Sequence, residues 1–397
     1  MSAYIEPIKT AVAFFPFVAL LLTAPYMLAQ YRRYGAVLLL RSAIVYSFVL
    51  YLMCAYFLVI LPLPSRESVA RLTSGTIQLV PFREVADLFS NPAFSWGVPS
   101  TWYRLFWSRG FFQIAANVLM LLPLGVYLRY YFGFGLKKTL LCAFFLSLFF
   151  ELTQLSGLYF LYPRPYRLAD VDDLITNTLG GLLGYWAAPI FMRFLPSKER
   201  MDSVAYRRGE QVSLTRRFFA GAVDGLLALI LMFLILQLLV PNGPDSLGAG
   251  ETMGWLALGY GLSLAIYYIG VPWLARGYTP GKALLRLRLL DTRSMKRPRL
   301  WQCAVRSTVL YGVVMPAPAW VVYVLFAVPP DGESIEWWML LVSFILIAIY
   351  ALFWLLVLVH VFTRSIQLLH DKLAMTRNVS TLGRDQMEKP QPPDAAY

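Results

Sequence analysis

The stretch from Phe150 to Gly184 reads FELTQLSGLYFLYPRPYRLADVDDLITNTLGGLLG. It begins in an apolar run that holds Glu151 and Gln154. It then crosses a Pro- and Tyr-rich loop with Arg164 and Arg167, and enters a second apolar run through Asp170, Asp172, Asp173 and Asn177. Both runs read as membrane segments. Carboxylates in such segments are costly, so they call for pairing, packing or a function.

The same texture fills the rest of the chain. Of 397 residues, 58% are hydrophobic and 14% charged, where a soluble domain carries about 25% charged residues. Apolar runs of about 20 residues, the length that crosses a bilayer core, predict an all-α polytopic integral membrane protein. About nine transmembrane helices in two bundles of five and four are expected, at residues 10–30, 36–61, 111–131, 138–157, 171–195, 217–240, 253–274, 301–328 and 337–363. A polar linker at 196–216 divides a first membrane domain, 1–195, from a second, 217–380. The chain after Thr363 is polar, and residues 381–397, ending PQPPDAAY, read as a disordered tail. Arg32 and Arg33 follow the first apolar run, as at a retained helix rather than a cleaved signal peptide.

The net charge is +13. The basic residues lie between apolar runs and no nucleic-acid motif accompanies them, so they read as topology signals and nucleic acid is not an expected partner. The loop 275–300 carries Arg276, Lys282, Arg286, Arg288, Arg293, Lys296, Arg297 and Arg299, whereas the loops 241–252 and 329–336 carry no Lys or Arg. The basic loop, the linker and the C-terminus are therefore expected in the cytoplasm. The N-terminus and the loops 62–110 and 158–170 are expected outside. Arg66, Arg71, Arg83, Arg104 and Arg109 in the long outer loop run against that rule, partly offset by Glu67, Glu84 and Asp87. Cys54, Cys142 and Cys303 lie in or at the start of apolar runs without CxxC spacing, and His360 and His370 are too few for a His-rich zinc site. No metal or cofactor is expected.

On this topology Asn117, Glu151, Gln154, Arg167, Asp170, Asp173 and Asn177 converge in the outer leaflet, with Arg83 within reach from the loop. Gln154 lies three residues after Glu151 and Asn177 four after Asp173, spacings that share a helix face. A packing account stands beside the ligand or ion site: Asp170 as a helix cap, Asn117 and Gln154 as interhelical glue, and Glu151 paired with Arg167. A second cluster lies on the inner side. Arg217 and Asp224 are seven apart on one helix face, suited to an ion pair, with Lys282, Arg306, His370 and Asp371 at similar depth. The run LLRLRLLD reads as a strand-like or interfacial segment against anionic lipid.

These residues carry two resemblances. Arg217, Ala220 and Asp224, then Thr279-Pro280-Gly281-Lys282, Arg306, His370-Asp371-Lys372-Leu373 and Thr376-Arg377 resemble the RDD family. Its name-giving Arg and two Asp positions fall on Arg217, Asp224 and Asp371, while Met375 stands where that family usually has Gly. The first half is similar to the VanZ family through Pro81-Phe82, Asn117, Pro123-Leu124-Gly125, Glu151, Gln154, Arg167, Asp170, Asp173, Asn177, Thr178 and Gly180; Gln78 departs from a frequent Asn. The resemblance implies a bacterial VanZ/RDD fusion. Some VanZ relatives are tied to reduced susceptibility to glycopeptides such as teicoplanin, transport has been suggested for some RDD relatives, and neither family brings a catalytic chemistry.

Three classes of function follow. The one taken forward is a non-catalytic envelope protein of the cytoplasmic membrane, bound by membrane lipids and holding a lipid-linked cell-wall precursor or a glycopeptide. The second is a cation- or proton-coupled transporter. The third is an enzyme acting on a lipid phosphate with a divalent metal held by Asp170 and Asp173.

Overall fold

The structure, a computed structural model, describes residues 2–73, 75–90, 94–240, 249–326, 337–363 and 367–382. The loop 329–336, most of the loop 241–252, the side chain of His360 and tail residues 383–397 lie outside the described residues. The chain forms two compact units, one of Met1–Ala24 with Leu38–Ser203, the other of Pro25–Val37 with Val204–Tyr397.

In chain order, α1 (Ser2–Tyr34) contributes to both units. The first unit continues with α2 (Leu39–Ile60), α3 (Arg66–Ala70), β1 (Ile77–Gln78), α4 (Arg83–Phe89), α5 (Pro99–Phe106), α6 (Arg109–Tyr130), α7 (Leu136–Leu155), β2 (Ala169–Asp170) and α8 (Val171–Met192). The expected linker is largely helical, α9 (Lys198–Glu210). The second unit holds α10 (Leu214–Leu239), then α11 (Ala249–Ser263), which passes through a π-helical stretch, Leu264–Gly270, into α12 (Val271–Leu274). After α13 (Pro280–Leu284) and β3 (Leu287–Asp291) come α14 (Leu300–Ser307), a second π-helical stretch, Thr308–Val314, α15 (Ala317–Phe326), α16 (Trp337–Thr363), α17 (Leu369–Leu373) and β4 (Thr376–Ser380).

Among the described residues, eight helices are long and apolar enough to cross a membrane. The chain is an all-α polytopic membrane protein. The remaining expected span is α8, a 22-residue helix whose first turns carry Asp172, Asp173 and Asn177. It packs on α6 and α7, and its polar side chains Asp172 and Asn177 are buried.

Glycine sets the closeness of that packing. A Cβ built on Gly180 would lie 2.1 Å from the Val118 carbonyl oxygen, and one on Gly184 would lie 1.9 Å from that of Leu122. The two helices therefore meet backbone to backbone, as small-residue interfaces in membranes do. This contact brings the N-terminal half of α6 against the first turns of α8. Gly184→Ala is expected to cost about 1–3 kcal/mol, because the clash is with rigid main chain. Thermal melting in detergent against wild type checks it.

Two small sheets tie loops together. β1 and β2 pair in parallel, joining the long loop after α2 to the start of α8. β3 and β4 pair antiparallel from Leu287↔Ser380 to Asp291↔Thr376. The LRLLD part of the run LLRLRLLD, Leu287–Asp291, is thus a strand, with Leu287, Leu289 and Leu290 buried. Part of the expected polar tail is structured, because α17 and β4 close the second unit's core.

Candidate functional sites

In the first unit an acidic cluster forms where α8 begins. Asp170 caps α8, its Oδ1 accepting from Asp172 N at 2.8 Å and from Gln78 Nε2 at 3.3 Å. Its own N donates to Glu151 Oε2 at 2.9 Å. Asp172, 2% exposed, accepts from the backbone N–H groups of Phe82 at 2.5 Å and Glu84 at 2.8 Å. Phe82 has a left-handed backbone, φ +63°, which aims both donors at that carboxylate. Such local strain persists where surrounding contacts enforce it. Asn117 Nδ2 donates to Asp173 Oδ1 at 2.5 Å, and Asn177 Nδ2 to Ser147 Oγ at 3.1 Å. Gln113 Nε2 donates to Glu84 Oε1 at 2.5 Å.

The structure brings Asn117, Glu151, Asp170, Asp173 and Asn177 together and adds Glu84, Asp172 and Ser147. Ser147 could have been found from its i, i+4 spacing to Glu151, and Asp172 from lying between two chosen acids. Gln154 turns to the Val59 carbonyl at 3.3 Å. The two arginines behave differently. Arg167 does not pair with Glu151; its guanidinium donates to the carbonyls of Leu58 and Leu61 at the end of α2. Arg83 makes no hydrogen bond into the cluster: its side chain is largely exposed on α4, with Asp87 4.0 Å away, though its charge still favours the Asp170 carboxylate. The end of α2, its last carbonyls unpaired in the helix, outcompetes the carboxylate for Arg167.

The electrostatics are those of crowded acids. Burial, together with Asp173, Asp170, Asp172 and Asp87, pushes the Glu84 carboxyl up to about 7. Burial also raises Asp170, against the hydrogen bond from Asp172 N. Three buried acceptors in and beside the cluster have no partner: Glu84 Oε2, Asn177 Oδ1 and Gln154 Oε1. Among the described residues no group of three or more His, Cys, Asp or Glu is arranged to hold a metal ion.

In the second unit the polar residues form two knots. Asp224 on α10 accepts from Tyr267 Oη at 2.9 Å, Thr279 Oγ1 at 2.6 Å and Gly281 N at 2.8 Å. This fixes the N-terminus of α13. A Cβ on Gly281 would lie 2.2 Å from the Ala220 carbonyl and 2.8 Å from Asp224 Cγ, so only glycine allows α13 this close. Lys282 Nζ lies 3.3 Å from Thr279 Oγ1 and 4.0 Å from Asp224 Oδ2. Burial, with Arg306 nearby, lowers its ammonium to about 7 against the opposing pull of Asp224.

The other knot is Asp371, fully buried, which accepts from Arg306 Nε at 3.0 Å and from Arg217 Nη2. The expected Arg217–Asp224 ion pair is therefore absent. Seven residues along α10 separate them by roughly 10 Å, and each side chain finds a partner nearer its own level. His370 Nε2 lies 3.6 Å from Asp371, and burial with Arg306, Arg217 and Lys282 around it drives the imidazole well below its usual value. Arg216, absent from the sequence reading, is wholly buried and donates to the carbonyls of Leu285, Gly209, Gly35 and Arg286.

The VanZ/LLP1 family model matches residues 48–192, which contain the whole acidic cluster, and the RDD family model matches residues 212–375, which contain both knots. No curated protein and no solved structure matches the chain. The chain is a multi-pass membrane protein of bacterial origin in which a VanZ/LLP1-family segment is followed by an RDD-family segment.

Proposed function

We propose that this chain is a non-catalytic envelope protein of the cytoplasmic membrane, its N-terminus outside and its C-terminus in the cytoplasm. Its acidic cluster faces the outer leaflet and holds the donor-rich head of a lipid-linked or glycopeptide-like ligand. One observation carries the reading. The polar atoms left without partners there, Glu84 Oε2, Asn177 Oδ1 and Gln154 Oε1, are all acceptors. The nearby cation, Arg167, is taken up by main-chain carbonyls. A buried acceptor without a partner costs about 1–3 kcal/mol, so a ligand bringing ammonium, amide or hydroxyl donors is favoured. That requirement replaces the anionic head group that a free arginine would have selected.

The reading links the chain to glycopeptide susceptibility. Glu151→Gln with Asp173→Asn, in a chain verified to be expressed and inserted, is expected to remove at least fourfold of any teicoplanin tolerance the wild type confers. Tolerance equal to wild type sinks the proposal. The pH dependence has a definite sign. Glu84 is neutral below about 7 and anionic above it, so a cationic ligand binds more tightly as pH rises from 6 to 8, and Glu84→Gln flattens the profile. Stability runs the other way. The folded state holds the extra proton between Glu84's ordinary value and about 7, so stability falls as pH rises through that window.

A further inference from the structure

The second unit contains a cavity of about 610 Å³, within the range of small-molecule sites, about 300–1,000 Å³. It runs along α10 from Arg217 to Met232, roughly 22 Å at helical rise. Its two ends differ in chemistry. One carries Arg217, Lys282, Arg306, Asp224 and His370, with Phe353 stacked on the His370 ring; further along α10 the lining turns to Ala228, Leu229 and Met232.

The space exists because of small residues and paired π turns. Gly221, Gly225 and Ala228 line it from α10. A Cβ on Gly221 would meet nothing within 4 Å, and one on Gly225 only the Tyr268 hydroxyl, 3.8 Å away. Opposite, the π-helical stretches are locked together. The Tyr268 and Tyr311 rings stack with centroids 3.7 Å apart. The Tyr268 carbonyl accepts from Ser307 Oγ at 2.7 Å, and the Tyr311 carbonyl accepts from Tyr260 Oη. π turns of this kind recur at functional sites.

Three basic side chains, Arg217, Arg306 and Lys282, line the polar end beside one carboxylate, Asp224. Asp371 is shared by both arginines, and Asp224 is filled by Tyr267, Thr279 and the Gly281 amide. His370 Nδ1 is buried there without a partner, its residue 2% exposed. An anionic head placed there gains charge-assisted hydrogen bonds from the guanidinium groups. Of the side chains that line the cavity, Phe218 is 71% exposed and Leu229 58%. In a membrane-spanning unit such side chains face lipid, so access is lateral.

We infer that this cavity binds one single-chain amphiphile, its anionic head among Arg217, Arg306 and Lys282 and its hydrocarbon tail along α10 between the π turns and α16. A carboxylate and a phosphate head both satisfy the cationic end, so the test separates them. The full chain, purified in a neutral saccharide detergent, is offered dodecanoate, dodecyl phosphate or dodecyltrimethylammonium, and retained adducts are counted by native mass spectrometry. At least one of the two anions is expected to be held at one per chain, at least tenfold above the cation. The better-held anion identifies a fatty-acid-type or a phosphate-type ligand, and equal retention assigns the shared anionic chemistry. Gly221→Phe, whose ring enters open space, is expected to cut anion retention at least tenfold with an unchanged melting temperature. Gly225→Leu gives a second fill of the same cavity should the first variant fail to fold. The inference is overturned if no anion is retained, if the cation is held as well as the anions, or if a folded variant retains the anions at wild-type level.

Discussion

Asp371→Ala is expected to destabilise the second unit by about 3–5 kcal/mol, the usual loss when one partner of a buried ion pair is removed. Asp371 is wholly buried and is held by both Arg306 and Arg217. Truncating it leaves two guanidinium groups facing one another with their common anion gone. Asp371→Asn keeps the shape but not the charge, so its loss should approach that of Ala and not that of a conservative change. Adding Arg306→Met to Asp371→Ala removes one of the stranded cations and should recover part of the loss. Melting temperatures of the four chains in one detergent decide it. A loss below about 1 kcal/mol for Asp371→Ala, the range of an exposed pair, would mean that the knot is solvated rather than buried.

The contrast between Asp371 and Asp224 shows where sequence reading works and where it stops. Apolar runs of bilayer length read directly as helices, because each such run must satisfy its own backbone within the membrane. The position of the acids at the starts and ends of runs was equally legible, and the Glu151 carboxylate does accept from the Asp170 backbone N–H. Pairing was not legible. Helical spacing put Arg217 and Asp224 on one face, yet spacing says nothing of what the neighbouring helices offer. Thr279, Tyr267 and the Gly281 amide satisfy Asp224 from other elements, and Arg217 is left for Asp371. Arg167 was misassigned for the same reason: its competitors, the carbonyls of Leu58 and Leu61, are main-chain atoms that every sequence contains. The cavity was hidden because it depends on Gly221 and Gly225 facing two π-helical stretches, and glycine in a membrane helix is as often a contact surface, as at Gly184, as an opening.

Arg216 extends that lesson to the largest expected effect in the chain. Its neighbour Arg217 fitted a known pattern, and two adjacent arginines at a membrane boundary otherwise read as topology signals. Yet Arg216 is the wholly buried one. Nε donates to Leu285 O at 2.8 Å, and Nη2 to Arg286 O at 2.9 Å. Nη1 donates to Gly209 O at 2.8 Å, Ser380 Oγ at 3.2 Å and Gly35 O at 3.3 Å. One planar fork thus ties the start of α10 to the turn after α1, the end of α9, the segment before β3 and the last residue of β4. Five acceptors around a fork of fixed geometry explain the choice of arginine over lysine, which carries three donors on a point charge. Arg216→Ala is expected to cost at least about 4 kcal/mol, since hydrogen bonds to a charged group are worth about 1.5–3 kcal/mol each and are lost together with the buried side chain. Arg216→Lys keeps the charge but serves at most three of the acceptors, so it should lie between Ala and wild type. Arg217→Lys, which keeps a cation beside Asp371, should cost less than Arg216→Lys. Melting temperatures of these chains test the order, and an Arg216→Lys protein that melts with the wild type would show that charge alone holds these segments together.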